Sequence, residues 1–283
     1  MTDQGHPSRP PLSTPNVDFS RRVFLVTGGT QGIGLAVARM LKDKGAAGIV
    51  LVSRSEDKGQ AAVAELNDDS CQCAYVCADL SSAEGASSTV TRSIDIMKDV
   101  GPLSGVVNCA AITERGNLFT ETAEGFDRQF ALNVRAPFLI TQGASTHMIN
   151  QGIRGSIVNI CSCASYGGAP FIMAYSASKA ALVNLTKNNA AELAPKGVRV
   201  NGINMGWCLT ENEDKLQRRQ SGSDWLERAD DSVPLGRILR PEDVAATVVF
   251  LLSDAAAMMT GSIVELHPEF PHGMISLADE DAR

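Results

Sequence analysis

Residues 23–41 read VFLVTGGTQGIGLAVARML: an apolar run, a glycine-rich turn and an Ala/Leu-rich segment in immediate succession. That order predicts strand, turn and helix, the place where a parallel sheet binds a dinucleotide. In this reading Gly28 lets the chain turn, Gly32 lets backbone approach a pyrophosphate, and Gly34 permits close packing of the helix. The helix N–H groups and dipole would face the phosphates. The spacing is Gly-x-x-x-Gly-x-Gly, distinct from the Gly-x-Gly-x-x-Gly of the other common dinucleotide loop.

Outward from this unit, apolar β-branched runs recur at 22–26, 48–52, 73–77, 104–108, 156–160, 198–203 and 261–266. Longer amphipathic or Ala-rich stretches fill the intervals near 32–44, 56–67, 82–99, 122–150, 174–194 and 241–253. Strands separated by helices predict an α/β chain, a single-domain Rossmann fold whose doubly wound parallel sheet of about seven strands carries helices on both faces. No repeat or linker interrupts the pattern, so 21–283 is expected as one domain. Residues 1–20 are polar, Pro-bearing and without an apolar secretory core, and are expected as a disordered tail.

With 283 residues, 44% of them hydrophobic, the chain can bury a large core. Its net charge of −7 arises from 25 basic and 32 acidic residues spread without blocks, which argues against a nucleic-acid or anionic-membrane partner. The strongest apolar run, AATVVFLL at 245–252, falls far short of the roughly 18 to 20 residues a bilayer crossing needs. Seven cysteines, including CQCAYVC at 71–77 without neighbouring histidines, read as reduced, mostly buried thiols of a cytoplasmic protein, with no metal site.

The second strand ends in IVLVSRSEDKG (49–59). A carboxylate at its end would accept from the ribose hydroxyls of NAD, whereas a base accommodates the extra phosphate of NADP. Ser53 and Arg54 stand there, with no carboxylate before Glu56, so NADP(H) is expected ahead of NAD(H).

These motifs resemble the short-chain dehydrogenase/reductase family over roughly 20–266. Thr27, Gly28, Gly32, Ile33 and Gly34 match its TGxxxGIG loop, and Asp79 matches its aspartate after the third strand. NCAA at 108–111 keeps Asn108 and Ala110 of its NNAG turn but has Cys109 and Ala111 for Asn and Gly. The resemblance implies a nicotinamide cofactor held by Gly28, Thr30, Gln31, Gly32, Ile33, Gly34, Ser53, Arg54, Asp79, Leu80, Asn108, Ala110, Tyr175, Lys179, Gly206 and Thr210.

Candidate chemistry concentrates in IVNICSCASYGGAPFIMAYSASK (157–179). Tyr175 and Lys179 are four apart in a predicted helix and share a face, and an ammonium beside a phenol favours the phenolate needed for proton exchange with an alcohol or ketone. Ser162 ends the fifth strand, 13 residues before Tyr175, the separation found in the family, and would hold the substrate oxygen. Ser165, Ser176 and Ser178 read as solvated or capping residues. Tyr166, with Pro170 four residues on, reads as a pocket wall or loop residue. Cys161 and Cys163 have no histidine nearby in sequence and read as space-filling neighbours. The resemblance further implies that Lys179 bonds the nicotinamide ribose and that Asn133 helps to hold a water beside the lysine.

Two departures stand out. Met205 replaces the Pro of the family's Pro-Gly pair while Gly206 and Thr210 remain, and VELHPEFPHGM (264–274) replaces an Asp-Gly-Gly ending. The charged stretch 207–233 carries both tryptophans and reads as a substrate lid. Together the features point to hydride transfer between nicotinamide and a carbonyl or secondary alcohol, with a sugar, polyol or other polar hydroxy/keto compound favoured by the lid. A 3-oxoacyl-[acyl-carrier-protein] reductase and a non-catalytic cofactor-binding regulator or scaffold are the alternatives. The resemblance also implies a homodimer or homotetramer built on the helices near 122–150 and 174–194.

Overall fold

The computed structural model describes residues 17–268. Its seven strands are β1 Val23–Thr27, β2 Gly48–Ser53, β3 Gln72–Cys77, β4 Leu103–Asn108, β5 Ser156–Ile160, β6 Arg199–Met205 and β7 Ile263–Leu266. They form one sheet in the order β3-β2-β1-β4-β5-β6-β7, and every pairing is parallel. The strand order reverses beside β1, so the ends of β1 and β4 open a crevice at the sheet's C-terminal edge.

Alternation along β1 builds two cores. Phe24 and Val26 join a cluster with Val37 and Leu41 of α1 (Gly32–Asp43) and Val248 and Leu252 of the late helix 241–252. Val23 and Leu25 join the opposite cluster, with Val90 and Met97 from helix 83–97 and Ile140 and Met148 from helix 136–150. Burying each such side chain contributes about 1.5–3 kcal/mol, which makes both faces of the sheet obligatory packing surfaces.

In chain order the remaining helices are α2 Glu56–Leu66, α3 Ala83–Met97, α4 Ala123–Phe130, α5 Ala136–Asn150, α6 Met173–Leu193, α7 Glu211–Ser221, α8 Trp225–Asp231 and α9 Pro241–Leu252. Side-chain oxygens of Ser55, Ser82, Thr122 and Thr210 cap α2, α3, α4 and α7 by accepting from backbone N–H groups in their first turns.

The single helix expected over 122–150 is divided. Residues Ala131–Arg135 form a π-helical turn in which the Ala136 N–H bonds back to the Ala131 carbonyl. In an unbroken α-helix the Asn133 carbonyl would accept from the amide of residue 137, but that residue is Pro137 and has no N–H. The widened turn therefore falls on the candidate residue Asn133.

The expected tail also needs correction at its end. Residues 1–16 lie outside the described residues, but Phe19 is fully buried, edge-on to Phe24 with ring centroids 4.8 Å apart, and its N–H bonds the Lys44 carbonyl. The ordered fold thus begins before position 21. At the other end, residues 269–274 of the departing segment lie outside the described residues.

Candidate active site

A groove of about 340 Å³ opens over the C-terminal ends of β1, β2, β3 and β4. Gly28, Thr30, Gln31, Gly32, Ile33, Gly34, Ser53, Arg54, Asp79, Leu80, Ala110 and Thr210 line it. Its floor is bare backbone for a steric reason: a Cβ on Gly34 would lie 2.3 Å from the Gly28 carbonyl oxygen. Gly28 itself has φ +67°, and a Cβ there would lie 3.1 Å from the Ala110 backbone. No side chain caps the N-terminus of α1, and its first turn holds no acidic residue. Its N–H groups and dipole are therefore available to an anion, and the groove fits a pyrophosphate-bearing dinucleotide.

The substituted turn after β4 is held from β1. Thr27 Oγ1 accepts from the N–H groups of Cys109 (3.0 Å) and Ala110 (3.1 Å) and donates to the Val107 carbonyl (3.3 Å). These bonds need only backbone, which explains why Cys109 and Ala111 leave the turn intact. Asn108, expected at the cofactor, does not line the groove. It is 3% exposed, and its amide nitrogen donates to Asn159 Oδ1 at 2.8 Å, from which Asn159 continues to Thr186 Oγ1 at 2.9 Å. Side chains alternate across a strand, and this one points into the packed face. Gly206 also stays out of the lining; its N–H bonds the Leu266 carbonyl at 2.8 Å. With Met205 in the Pro position, β6 runs on through residue 205 in register with Leu266.

At the far end of the groove Arg54 is exposed, and Lys58 Nζ reaches back from α2 to Gln31 Oε1 at 2.5 Å. Lys58 was not among the sequence candidates, although its place four residues after Arg54, at the start of a helix, was a usable signal. The Ser53 hydroxyl lies 3.2 Å from that of Tyr75, which donates to the Ser53 carbonyl. Asp79 accepts from the hydroxyl and N–H of Ser81, and these bonds, with Arg54 nearby, hold its carboxyl below the usual range.

Ser162, Tyr175, Lys179 and Asn133 gather beside the groove rather than in its lining. Lys179 is 3% exposed; its ammonium donates to the Ile160 carbonyl at 2.7 Å and lies 5.6 Å from the Tyr175 ring centroid. Two residues after Ser162, the Ala164 carbonyl accepts from Ser176 Oγ at 2.6 Å. α6 thus grips the chain on both sides of Ser162, whose own Oγ accepts from the Ala164 N–H. Asn133 exchanges bonds with the Ile112 backbone and donates to Ser178 Oγ at 3.0 Å, tying the π-turn to both groove and α6.

Ser176 and Ser178, expected as solvated or capping residues, are both buried clasps instead, although Ser178 also makes a local bond of the capping kind, donating to the Tyr175 carbonyl at 2.7 Å. Helical spacing had marked Tyr175 and Lys179 but carried no sign of what their neighbours meet across the turn. Burial pushes the thiols of Cys161 and Cys109 up to about 11, so both are neutral near pH 7 and poorly nucleophilic.

The stretch 207–233 has its own small core: Trp225, 2% exposed, packs with Ala229, Val233 and Ile238. Trp207 and Trp225 lie 5.4 Å apart, and their indole N–H groups donate to Glu213 and Asp214 of α7. Thr210, which caps α7, stands 3.4 Å from where a Cβ on Gly32 would be, so this unit starts directly over the glycine loop.

A family model described as "Enoyl-(Acyl carrier protein) reductase" matches residues 28–266. "Dehydrogenase/reductase SDR family member 4" of Mus musculus is 33% identical over 264 residues, covering 93% of this chain and 90% of that one. "Gluconate 5-dehydrogenase" of Gluconobacter oxydans is 32% identical over 240 residues, covering 85% and 91%. The crystal structure of a 3-oxoacyl (acyl-carrier-protein) reductase from Agrobacterium tumefaciens C58 with NADP bound matches with a TM-score of 0.81 at 26% identity, covering 89% of this chain and 95% of that one. The chain belongs to the short-chain dehydrogenase/reductase family and is an NAD(P)(H)-dependent oxidoreductase acting on CH–OH donors.

Proposed function

We propose that the chain interconverts a polar secondary alcohol, of sugar, polyol or hydroxy-acid type, and its ketone, with NADP(H) as the preferred cofactor. The observation that carries the catalytic reading is the buried Lys179 ammonium, placed between the Ile160 carbonyl and the Tyr175 ring. Burying a lysine is costly, so a site that does so gains from its charge.

When bound, the nicotinamide supplies or accepts the hydride. Tyr175 gives a proton to the substrate oxygen in reduction and takes it back in oxidation. Ser162 donates a hydrogen bond to the same oxygen and stabilises its developing charge. Lys179 supplies positive charge beside the phenol ring, and Asn133 anchors the loop through Ile112 and the water path beside the lysine. The glycine loop and the N-terminus of α1 bind the pyrophosphate.

Arg54 and Lys58 support the cofactor preference: Arg54 lines the groove, Lys58 bonds Gln31 of its lining, and neither has a carboxylate within ion-pair distance among the described residues. Arg54→Asp is expected to weaken NADPH binding by about 10- to 100-fold, the effect of losing a charge-assisted bond to phosphate, while NADH binding is unchanged or improved. Equal NADPH affinity in both proteins, measured by quenching or calorimetry, would remove the basis for this preference.

The polar substrate class is supported by the acidic first turn of α7, where Glu211 and Asn212 line the groove while Glu213 and Asp214 hold the tryptophan indoles, and by the likeness to a gluconate dehydrogenase. The same acidic turn disfavours docking of an acidic carrier protein. Screening polyols, sugar acids and acyl-carrier substrates by nicotinamide absorbance separates the two readings, and cofactor binding without turnover of any of them would favour the regulator.

A second copy of the chain is expected over α4, α5 and α6, where Phe126 and Phe138 are 40% and 42% exposed beside a groove lined by Phe130, Val134 and Leu185. Phe138→Asp is expected to shift sedimentation toward the monomer. The seven free cysteines support a cytoplasmic setting.

A further inference from the structure

The turn that begins at Ser162 has a second anchor, on the opposite side of the chain's sequence. Its residues Cys163–Tyr166 form one turn of 3₁₀ helix, after which Gly167 (φ +86°) and Gly168 (φ +78°) follow with open space at both Cβ positions. The Gly167 N–H closes the turn on the Ala164 carbonyl at 3.1 Å, but the glycine pair offers no side chain, so a side-chain tether at the end of the turn has to come from its last residue. Tyr166 provides this by donating its hydroxyl to Glu265 Oε2 on β7. Glu265 Oε1 accepts from Asn204 Nδ2 at 3.3 Å, and Asn204 Oδ1 accepts from Ser165 Oγ at 3.3 Å. His267 Nε2 lies 2.9 Å from Glu265 Oε2 and 3.3 Å from the Tyr166 hydroxyl, with the two rings edge-on. One oxygen of the carboxylate thus holds Tyr166 directly, and the other reaches the preceding residue, Ser165, through Asn204.

We infer that Glu265 is a positioning residue for Ser162, acting through Tyr166 directly and through Ser165 by way of Asn204. The inference rests on the reading that Ser162 holds the substrate oxygen. α6 fixes the entry and middle of the segment at Ile160 and Ala164, and Glu265 fixes its exit. The restraint lies in the segment where this chain departs from the family's usual ending, so the substitution of that ending has a structural use here. Burial and the neighbouring Glu265 push the Tyr166 phenol up to about 12, which keeps it protonated and donating across the neutral range.

Full-length Glu265→Ala and Tyr166→Phe are each expected to lower kcat about tenfold, since a catalytic group displaced by a fraction of an ångström loses rate steeply, while cofactor Kd stays within about twofold. The double variant is expected to be no slower than either single one, because both break the same restraint. Glu265→Gln keeps one acceptor oxygen, enough to receive the Tyr166 hydroxyl, and is expected to recover most of the rate. Hydrogen exchange read by mass spectrometry supplies a measurement free of turnover: Glu265→Ala should speed exchange over 163–168 and leave β5 and α6 unchanged. Wild-type kcat together with wild-type exchange in Glu265→Ala would overturn the inference and leave the proposed function standing. If the wild-type chain turned over no alcohol or ketone, the proposed function would fail, and the exchange result alone would then decide whether Glu265 orders the turn.

Discussion

Tyr175→Phe is expected to lower kcat by about 100- to 10,000-fold, the usual contribution of a positioned general acid or base, with cofactor affinity and melting temperature close to wild type. The separation of effects follows from the local structure. Phenylalanine keeps the ring against which the Lys179 ammonium lies at 5.6 Å. The Tyr175 hydroxyl has no hydrogen-bond partner among the described residues, so its removal strands no protein donor or acceptor. A purely structural tyrosine would give a fall in melting temperature and little change in rate. Steady-state kinetics beside a thermal melt distinguishes the cases, and a Phe variant with full activity would remove Tyr175 from the mechanism.

Gly34→Ala carries the second large effect, by a different route. The added methyl would sit 2.3 Å from the Gly28 carbonyl oxygen and 2.7 Å from its carbon, both backbone atoms at the head of the phosphate loop. A flexible side chain could swing aside, but here α1 or the loop must move as a unit. Overpacking of this kind costs about 1–3 kcal/mol, and because the displaced atoms form the groove, cofactor affinity should fall at least about tenfold. Calorimetric titration with NADPH measures this directly. Wild-type affinity in Gly34→Ala would show that the loop accommodates the methyl and that the close approach has no part in binding.

How much of the site was legible follows the range of the interactions involved. The glycine loop, Arg54 and the Tyr175/Lys179 pair each belong to one short stretch, where spacing along a helix or after a strand says which groups share a face. Asn108 shows the limit of that logic. It matches a family motif and ends the right strand, yet its amide donates to Asn159 of β5, which in turn donates to the Thr186 hydroxyl on α6. Ser176 and Ser178 erred the other way, reading as solvated because their partners, Ala164 and Asn133, lie 12 and 45 residues away. Lys58 was passed over for a similar reason, since its contact is with Gln31 across the groove.

By itself the sequence determined the alternation of buried strands and helices, the strand-turn-helix that begins the fold, and the shared helix face of Tyr175 and Lys179. Those properties depend on side-chain period, turn geometry and propensity, which are settled within a few residues. Tertiary structure alone decided which polar groups are spent holding the site and which remain free to act in it. Thr27 holding the turn after β4 and Glu265 reaching the Ser162 turn from β7 join segments 82 and 99 residues apart, and α6 clasps both sides of Ser162 from across the strand end. A hydrogen bond requires its two atoms at about 3 Å, and only the folded sheet brings these there.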